Sequence, residues 1–184
     1  MKKDFLAPVF ALAAVCFLMS LLLAAGNRLT EPVIKQAAEE RAQEAQLEII
    51  PGAKEFEPVE TSGLPKSITG IYRAEPDLGF IFMISAAGGY GGEIKLICGI
   101  DTEGRIIKTK VLSHAETQGL GTIVFESAAE YEGKDKNLEG IDAIAGSTIT
   151  SNAYKNGISD AFAAFEIIKE QAEPDKPEKE EGSG

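Results

Sequence analysis

From Phe5 to Gly26 the chain has no charged residue, and an apolar run of that length can cross roughly 30 Å of hydrocarbon as a helix. The pattern predicts a transmembrane helix over residues 5–26. Lys2 and Lys3 stand just before it, so the positive-inside bias places residues 1–4 in the cytoplasm and the rest of the chain outside, with Arg28 pulling weakly the other way. A cleaved signal peptide is the alternative, because Ala24 and Gly26 make a small-x-small pattern near the end of the run. The run exceeds the roughly 7 to 15 apolar residues of a signal core, which favours an uncleaved single-pass anchor in the lipid bilayer. Cys16 follows Val15, where a lipoprotein signal needs a small residue, so lipidation is not expected.

Beyond Gly26 the pattern turns polar. Thr30 can cap a second helix and Pro32 is tolerated in its first turn. Glu-, Ala- and Gln-rich sequence then continues to about Leu47 before Pro51-Gly52 stops it. Residues 27–50 are therefore expected to form a stalk helix, polar on most faces. Four strand-like pieces follow, at Ser67 to Ala74, Gly79 to Ser85, Glu93 to Ile100 and Arg105 to Leu112. In the third, Ile94, Leu96, Cys98 and Ile100 alternate with Glu93, Lys95, Ile97 and Gly99, which apart from Ile97 is the period of a half-buried strand. Gly88 to Gly92 and Asp101 to Gly104 are turn material, so the strands should form an antiparallel meander.

A short helix is predicted at Ile123 to Tyr131. A longer one at Asn152 to Lys169 carries Ala153, Ile158, Ala161, Phe162, Phe165 and Ile168 on one face. Helices beside an antiparallel sheet make the expected fold class α+β, with residues 51–170 as one extracytoplasmic domain. Residues 171–184 are too polar to bury anything and are expected to be a disordered acidic tail.

Composition narrows the chemistry. A net charge of −11, with no extended cluster of Lys and Arg, excludes nucleic acid as a partner. With two cysteines, Cys16 and Cys98, one histidine and no Cys-x-x-Cys, the chain alone can build neither a thiolate zinc site nor an iron–sulfur cluster. No metal site is expected, and a redox role would need an organic cofactor. No Ser-His-Asp constellation is evident and no complete catalytic site is expected. His114 reads as a structural side chain near a strand end.

The informative segment is Asp142-Ala143-Ile144-Ala145-Gly146-Ser147-Thr148-Ile149-Thr150-Ser151, just ahead of the long C-terminal helix. Four hydroxyls in that position can cap free backbone N–H groups. They can equally mark a phosphate site, because the first turn of a helix offers unsatisfied amides and the positive end of its dipole.

Asp142-x-x-Ala145-Gly146-Ser147-Thr148 resembles the Asp-x-x-(Ser/Thr)-Gly-Ala-(Ser/Thr) motif of FMN-binding domains of the RnfG and NqrC type. It departs from that motif at Ala145 and Ser147. His114-Ala115-Glu116-Thr117-Gln118-Gly119-Leu120-Gly121 is similar to the family's Glu-Thr-x-Gly-Leu-Gly segment, and Gly88-Gly89-Tyr90-Gly91-Gly92 resembles its Gly-Tyr-Gly-Gly turn. Together the three matches run from about Gly88 to Ser151.

The resemblance implies FMN esterified through its phosphate to Thr148 by a flavin transferase, with Ser147 as a minor rival acceptor. It places Glu116, Thr117, Gly119 and Leu120 near the isoalloxazine ring and Gly146, Ser147, Thr150 and Ser151 near the phosphate. It also implies an electron-relay subunit of a bacterial cytoplasmic-membrane Rnf complex, an ion-translocating ferredoxin:NAD oxidoreductase whose other subunits are the partners. A subunit of a sodium-pumping quinone reductase, a flavin-binding sensor and a structural anchor are the alternatives.

Overall fold

The computed structural model describes residues 3–172, with side-chain environments from residue 8 to residue 171. The chain divides into two compact units between Arg41 and Ala42. Among the described residues of the first unit there is only helix: α1 (Lys3–Ile49) runs through them and ends inside the second. Val9, Phe10, Phe17, Leu21 and Leu23 are all exposed on α1, and its N-terminal part is long and apolar enough to cross a membrane.

One helix therefore stands where two were expected, and the cap at Thr30 does not form. The Thr30 hydroxyl donates back to the carbonyl of Gly26 at 3.1 Å, the bond a threonine makes inside a helix. Pro32 removes one N–H from the ladder, and α1 carries on through it. Met1, Lys2 and most of the expected acidic tail lie outside the described residues. Gln171, expected to begin that tail, is still in the last helix.

The second unit is a five-stranded antiparallel sheet in simple meander order. Its strands are β1 (Glu55–Pro58), β2 (Ile68–Glu75), β3 (Gly79–Gly89), β4 (Gly92–Ile100) and β5 (Ile106–Ser113). β2 to β5 fall where the alternation placed them. β1 was not expected: four residues that include two glutamates and a proline carry little strand signal, and pairing with β2 through Phe56↔Ala74 and Glu57↔Arg73 is what extends them. After β5 come α2 (Ile123–Glu126), a 3-10 turn at Ser127–Tyr131, and α3 (Thr148–Ala172).

α3 lies across one face of the sheet. Its predicted apolar positions Ala153, Ile158, Ala161, Phe162, Phe165 and Ile168 are all buried, against Phe82, Ile84, Leu96, Cys98 and Ile100 of β3 and β4. Gly157 lets the helix come close, since a Cβ there would sit 3.0 Å from the Cβ of Ala86. Phe165 meets Phe82 and Phe80 edge-on at 6.5 and 5.9 Å. Tyr154, fully buried, donates to the hydroxyl of Thr109 at 2.8 Å. Burial raises the Tyr154 phenol and the Cys98 thiol well above their ordinary values, so both stay neutral.

The opposite face is covered too, which explains the one break in the β4 alternation. The last two turns of α1, expected to be solvated stalk, bury Ala45, Ile49 and Ile50 against Ala74, Ile81 and Ile97. The folded domain thus begins within residues 42–49, earlier than the expected residue 51. Gly99 of β4 makes this packing possible, because a Cβ there would overlap the Cγ2 of Ile49. Glu48 on the same turn accepts from Lys108 at 2.8 Å and from Lys110.

Gly99→Ala should destabilise the domain by about 1–3 kcal/mol, the usual range for overpacking a core. Combined with Ile49→Ala, which opens the space, the two losses should fall short of additivity in chemical denaturation. The hydrogen bonds from Lys108 and Lys110 hold the Glu48 carboxyl down at about 2. Because the folded value lies below the unfolded one of about 4.3, the stabilisation is present above that pH and fades as pH falls toward about 2. The pair is largely exposed, so Glu48→Gln should cost under ~1 kcal/mol at neutral pH. That difference should disappear near pH 2 in acid-unfolding curves.

Candidate functional site

The β3–β4 turn, the loop after β5 and the first turn of α3 converge on an open cleft of about 370 Å³. That volume falls in the ~300–1,000 Å³ range of small-molecule and cofactor sites. Tyr90, Glu116, Thr117, Leu120, Gly121, Gly146, Ser147, Thr148, Ile149 and Thr150 line it. Seven of the expected residues are thus brought together from segments up to 34 positions apart: Glu116, Thr117, Leu120, Gly146, Ser147, Thr148 and Thr150.

Glu116 joins the three segments. Only 8% exposed, its carboxylate accepts from the Gly91 N–H at 3.0 Å through Oε1 and from the Thr150 hydroxyl at 2.8 Å through Oε2. Among the described residues no Lys or Arg pairs with it. The surrounding glycines fit around this side chain. A Cβ on Gly121 would lie 2.5 Å from Oε2, one on Gly89 would overlap Oε1, and one on Gly91 would overlap the carbonyl oxygen of Ala115.

The four hydroxyls at the start of α3 have different fates. Ser147 is buried and donates to the carbonyl of Leu120 at 2.5 Å, tying the loop to the helix without capping it. Thr150 is buried and held by Glu116. Ser151 is buried and accepts from the Ile144 N–H at 3.1 Å. Thr148 is exposed at the first position of α3 and faces the cleft. Gly146 turns the chain into the helix with φ +84°, in the left-handed region that glycine enters without strain. The Ser151 N–H already bonds to the Ser147 carbonyl at 2.9 Å. The N–H groups of Thr148, Ile149 and Thr150 are those an α-helix cannot satisfy internally, and they adjoin the cleft.

Residues 89–163 match the FMN-binding domain family. Over that stretch the chain is similar to an FMN-binding domain.

Similar curated proteins cover most of the chain as well as the domain. The G subunit of the proton-translocating ferredoxin:NAD(+) oxidoreductase complex of Clostridium ljungdahlii is 26% identical over 162 residues, 82% of this chain and 85% of the relative. The G subunit of the sodium-translocating ferredoxin:NAD(+) oxidoreductase complex of Acetobacterium woodii is 25% identical over 196 residues, 87% of this chain and 93% of the relative. The G subunit of an ion-translocating oxidoreductase complex of Methanosarcina acetivorans is 28% identical over 179 residues, 87% of this chain and 94% of the relative.

The cleft has features suited to FMN. Tyr90, Leu120 and Ile149 leave 71%, 49% and 55% of their surface exposed at its rim, an apolar border for a flat aromatic ring. The start of α3 supplies N–H donors for a phosphate. Tyr90 and Ile149 were not singled out from sequence. Tyr90 stood inside a motif read for its glycines, and Ile149 sat between hydroxyls.

Gly119 and Ser151 are off the cleft wall. The Gly119 N–H donates to the hydroxyl of Thr122 at 2.9 Å, and Gly119 borders a separate hollow with His114, Gln118 and Glu126. His114 accepts from the Glu116 N–H at 3.2 Å and leans on Phe125 at 4.8 Å between ring centroids.

Gly119→Ala and Gly121→Ala separate the two uses of glycine in this loop. Gly119, at φ +75° with open space around it, should lose only about 1 kcal/mol to backbone strain. Gly121→Ala drives a methyl into the Glu116 side chain and should lose more, about 2–3 kcal/mol, as overpacking of a filled site does. Thermal unfolding of both variants measures the order.

Proposed function

We propose that this chain is the membrane-anchored electron-relay subunit of an ion-translocating ferredoxin:NAD(+) oxidoreductase complex. On this reading it carries FMN as a phosphoester on Thr148. The observation that carries the reading is the exposure of Thr148 alone among four hydroxyls, at a helix start that opens into the cleft. The names of the three relatives support the complex. The apolar N-terminal part of α1 supports the anchor, and the two lysines ahead of it support an N-terminus inside and an FMN domain outside.

FMN, when bound, accepts and passes on one or two electrons, and the protein sets how readily it does so. The residues of this chain bind, orient and shield. Tyr90, Leu120 and Ile149 would offer apolar surface to the ring, and Glu116, Thr117 and Gly121 line the same cleft. Gly146 and the first-turn N–H groups of α3 would receive the phosphate, with Ser147 and Thr150 fixing that turn through their hydrogen bonds. Gly119 and Ser151 act one step further back, shaping the loop and the helix start. A flavin transferase would make the ester, the Thr148 hydroxyl oxygen giving up its proton and displacing a leaving group from an activated flavin phosphate. The Ser147 hydroxyl, donated to Leu120, is withheld from it.

Coexpression with a flavin transferase should add the mass of FMN, less water, to the peptide containing Thr148. Thr148→Ala should abolish the addition and Ser147→Ala should keep it, as read by peptide mass spectrometry. Modification of Ser147 instead would move the site, and an unmodified mature protein would remove the covalent reading. In the assembled complex Thr148→Ala should block electron flow from ferredoxin to NAD(+). Full flow through that variant would leave only an anchor.

A further inference from the structure

Glu116 is a buried carboxylate with no cation beside it among the described residues. A carboxylate removed from water without an ion partner is unfavourable unless hydrogen bonds replace its hydration. Here two donors do so, and they come from different parts of the chain: the Gly91 N–H in the β3–β4 turn and the Thr150 hydroxyl in the first turn of α3. The residue itself lies in the third segment, the loop after β5, so one side chain bridges all three walls of the cleft.

We infer that Glu116 is a positioning residue, a latch whose two accepted hydrogen bonds hold the cleft walls at the spacing that immobilises the flavin ring. This rests on the reading of the cleft as the FMN site.

The shape of the surroundings supports the latch. Both carboxylate oxygens are engaged by the protein. The absent side chains of Gly89 and Gly121 leave the volume that the carboxylate fills, and the absent side chain of Gly91 lets the turn press against the Ala115 carbonyl. Thr150 lies two residues after Thr148 on α3, so anchoring its hydroxyl inward also fixes the turn from which Thr148 projects. A second tie, from Ser147 to the Leu120 carbonyl, closes the same loop onto the same turn.

Geometry and charge separate by substitution. In Glu116→Gln the amide oxygen can accept from Gly91 while the amide nitrogen donates to the Thr150 oxygen, so both ties survive without the charge. Glu116→Ala removes both.

The full chain in detergent, unmodified and FMN-loaded, provides two readouts. In the unmodified chain, amide hydrogen exchange at Gly91 should be unchanged within about twofold in Glu116→Gln and at least about tenfold faster in Glu116→Ala, the loss expected when a protecting bond goes. In the loaded chain, flavin fluorescence anisotropy should stay at the wild-type level in Glu116→Gln. In Glu116→Ala it should fall toward that of a freely rotating ring, although FMN remains attached.

Should Glu116→Ala not fold, Thr150→Val and Thr150→Ser decide: valine should lower the anisotropy and serine should restore it. Wild-type anisotropy and slow Gly91 exchange in Glu116→Ala would overturn the latch, as would wild-type anisotropy in Thr150→Val. So would a Glu116→Gln variant that behaves like Glu116→Ala, because the charge would then be what matters. If the wild-type chain takes up no FMN, the site reading fails, while the exchange data still judge the latch.

Discussion

The three walls of the cleft meet at one buried carboxylate, which belongs to one of them and accepts hydrogen bonds from the other two. The β3–β4 turn, the loop after β5 and the start of α3 are far apart in sequence, and their meeting point is polar, with Glu116 between the Gly91 N–H and the Thr150 hydroxyl. Apolar packing alone would tolerate some sliding of these segments. A carboxylate with two fixed donors does not, because displacement of either wall leaves a buried polar group unsatisfied at about 1–3 kcal/mol. Gly89 and Gly121 follow from the same constraint, since their backbone must come within touching distance of that side chain, and Gly91 passes as close to the Ala115 carbonyl.

The rest of the domain supplies a rigid frame for this polar joint. α3 covers one face of the sheet along its apolar stripe, and the last turns of α1 cover the other. The sheet therefore has a dry layer on each side, and the hairpin that carries Tyr90 and Gly91 emerges from β3 and β4, its two most buried strands. Gly99 plays for the α1 side the part that Gly157 plays for α3: each lets a helix approach where a methyl group would hold it off. Local chemistry at the turn is precise because it is mounted on strands that have little freedom to move.

Much of this was legible from residue pattern. Strands β2 to β5 followed from period-two alternation and glycine turns, and the buried stripe of α3 followed from its helical spacing. What escaped has identifiable physical causes. Thr30 and Pro32 are a helix start in one context and helix interior in another, and local sequence does not distinguish a threonine that caps forward from one that bonds backward. Ile97 looked like a break in the strand pattern until Ile49 and Ile50 were found on its side of the sheet. β1 owes its extension to pairing with β2. At the cleft, motif residues are recognisable by type, but their direction is tertiary: Gly119 turns to Thr122 and Ser151 turns to Ile144, away from the cavity that their neighbours line.

The cleft's charge balance bears on why an ester would hold FMN. No Lys or Arg is among the residues that line it, so a phosphate there meets backbone N–H groups and the end of the α3 dipole. Those contribute about 0.3–1 kcal/mol per charge near a surface, and up to about 2 in the best geometries. Set against the several kcal/mol lost when a freely diffusing ligand is immobilised, that is a weak grip on the charged end of the molecule. An exposed apolar rim adds affinity for the ring but exposes it to solvent as well. On the extracytoplasmic side proposed above, where a cofactor lost to dilution is not readily replaced, such a site would empty. On the proposed reading, a bond from the one exposed hydroxyl at the start of α3 would make retention independent of affinity. The cleft walls would then be left with the single task of orienting the ring.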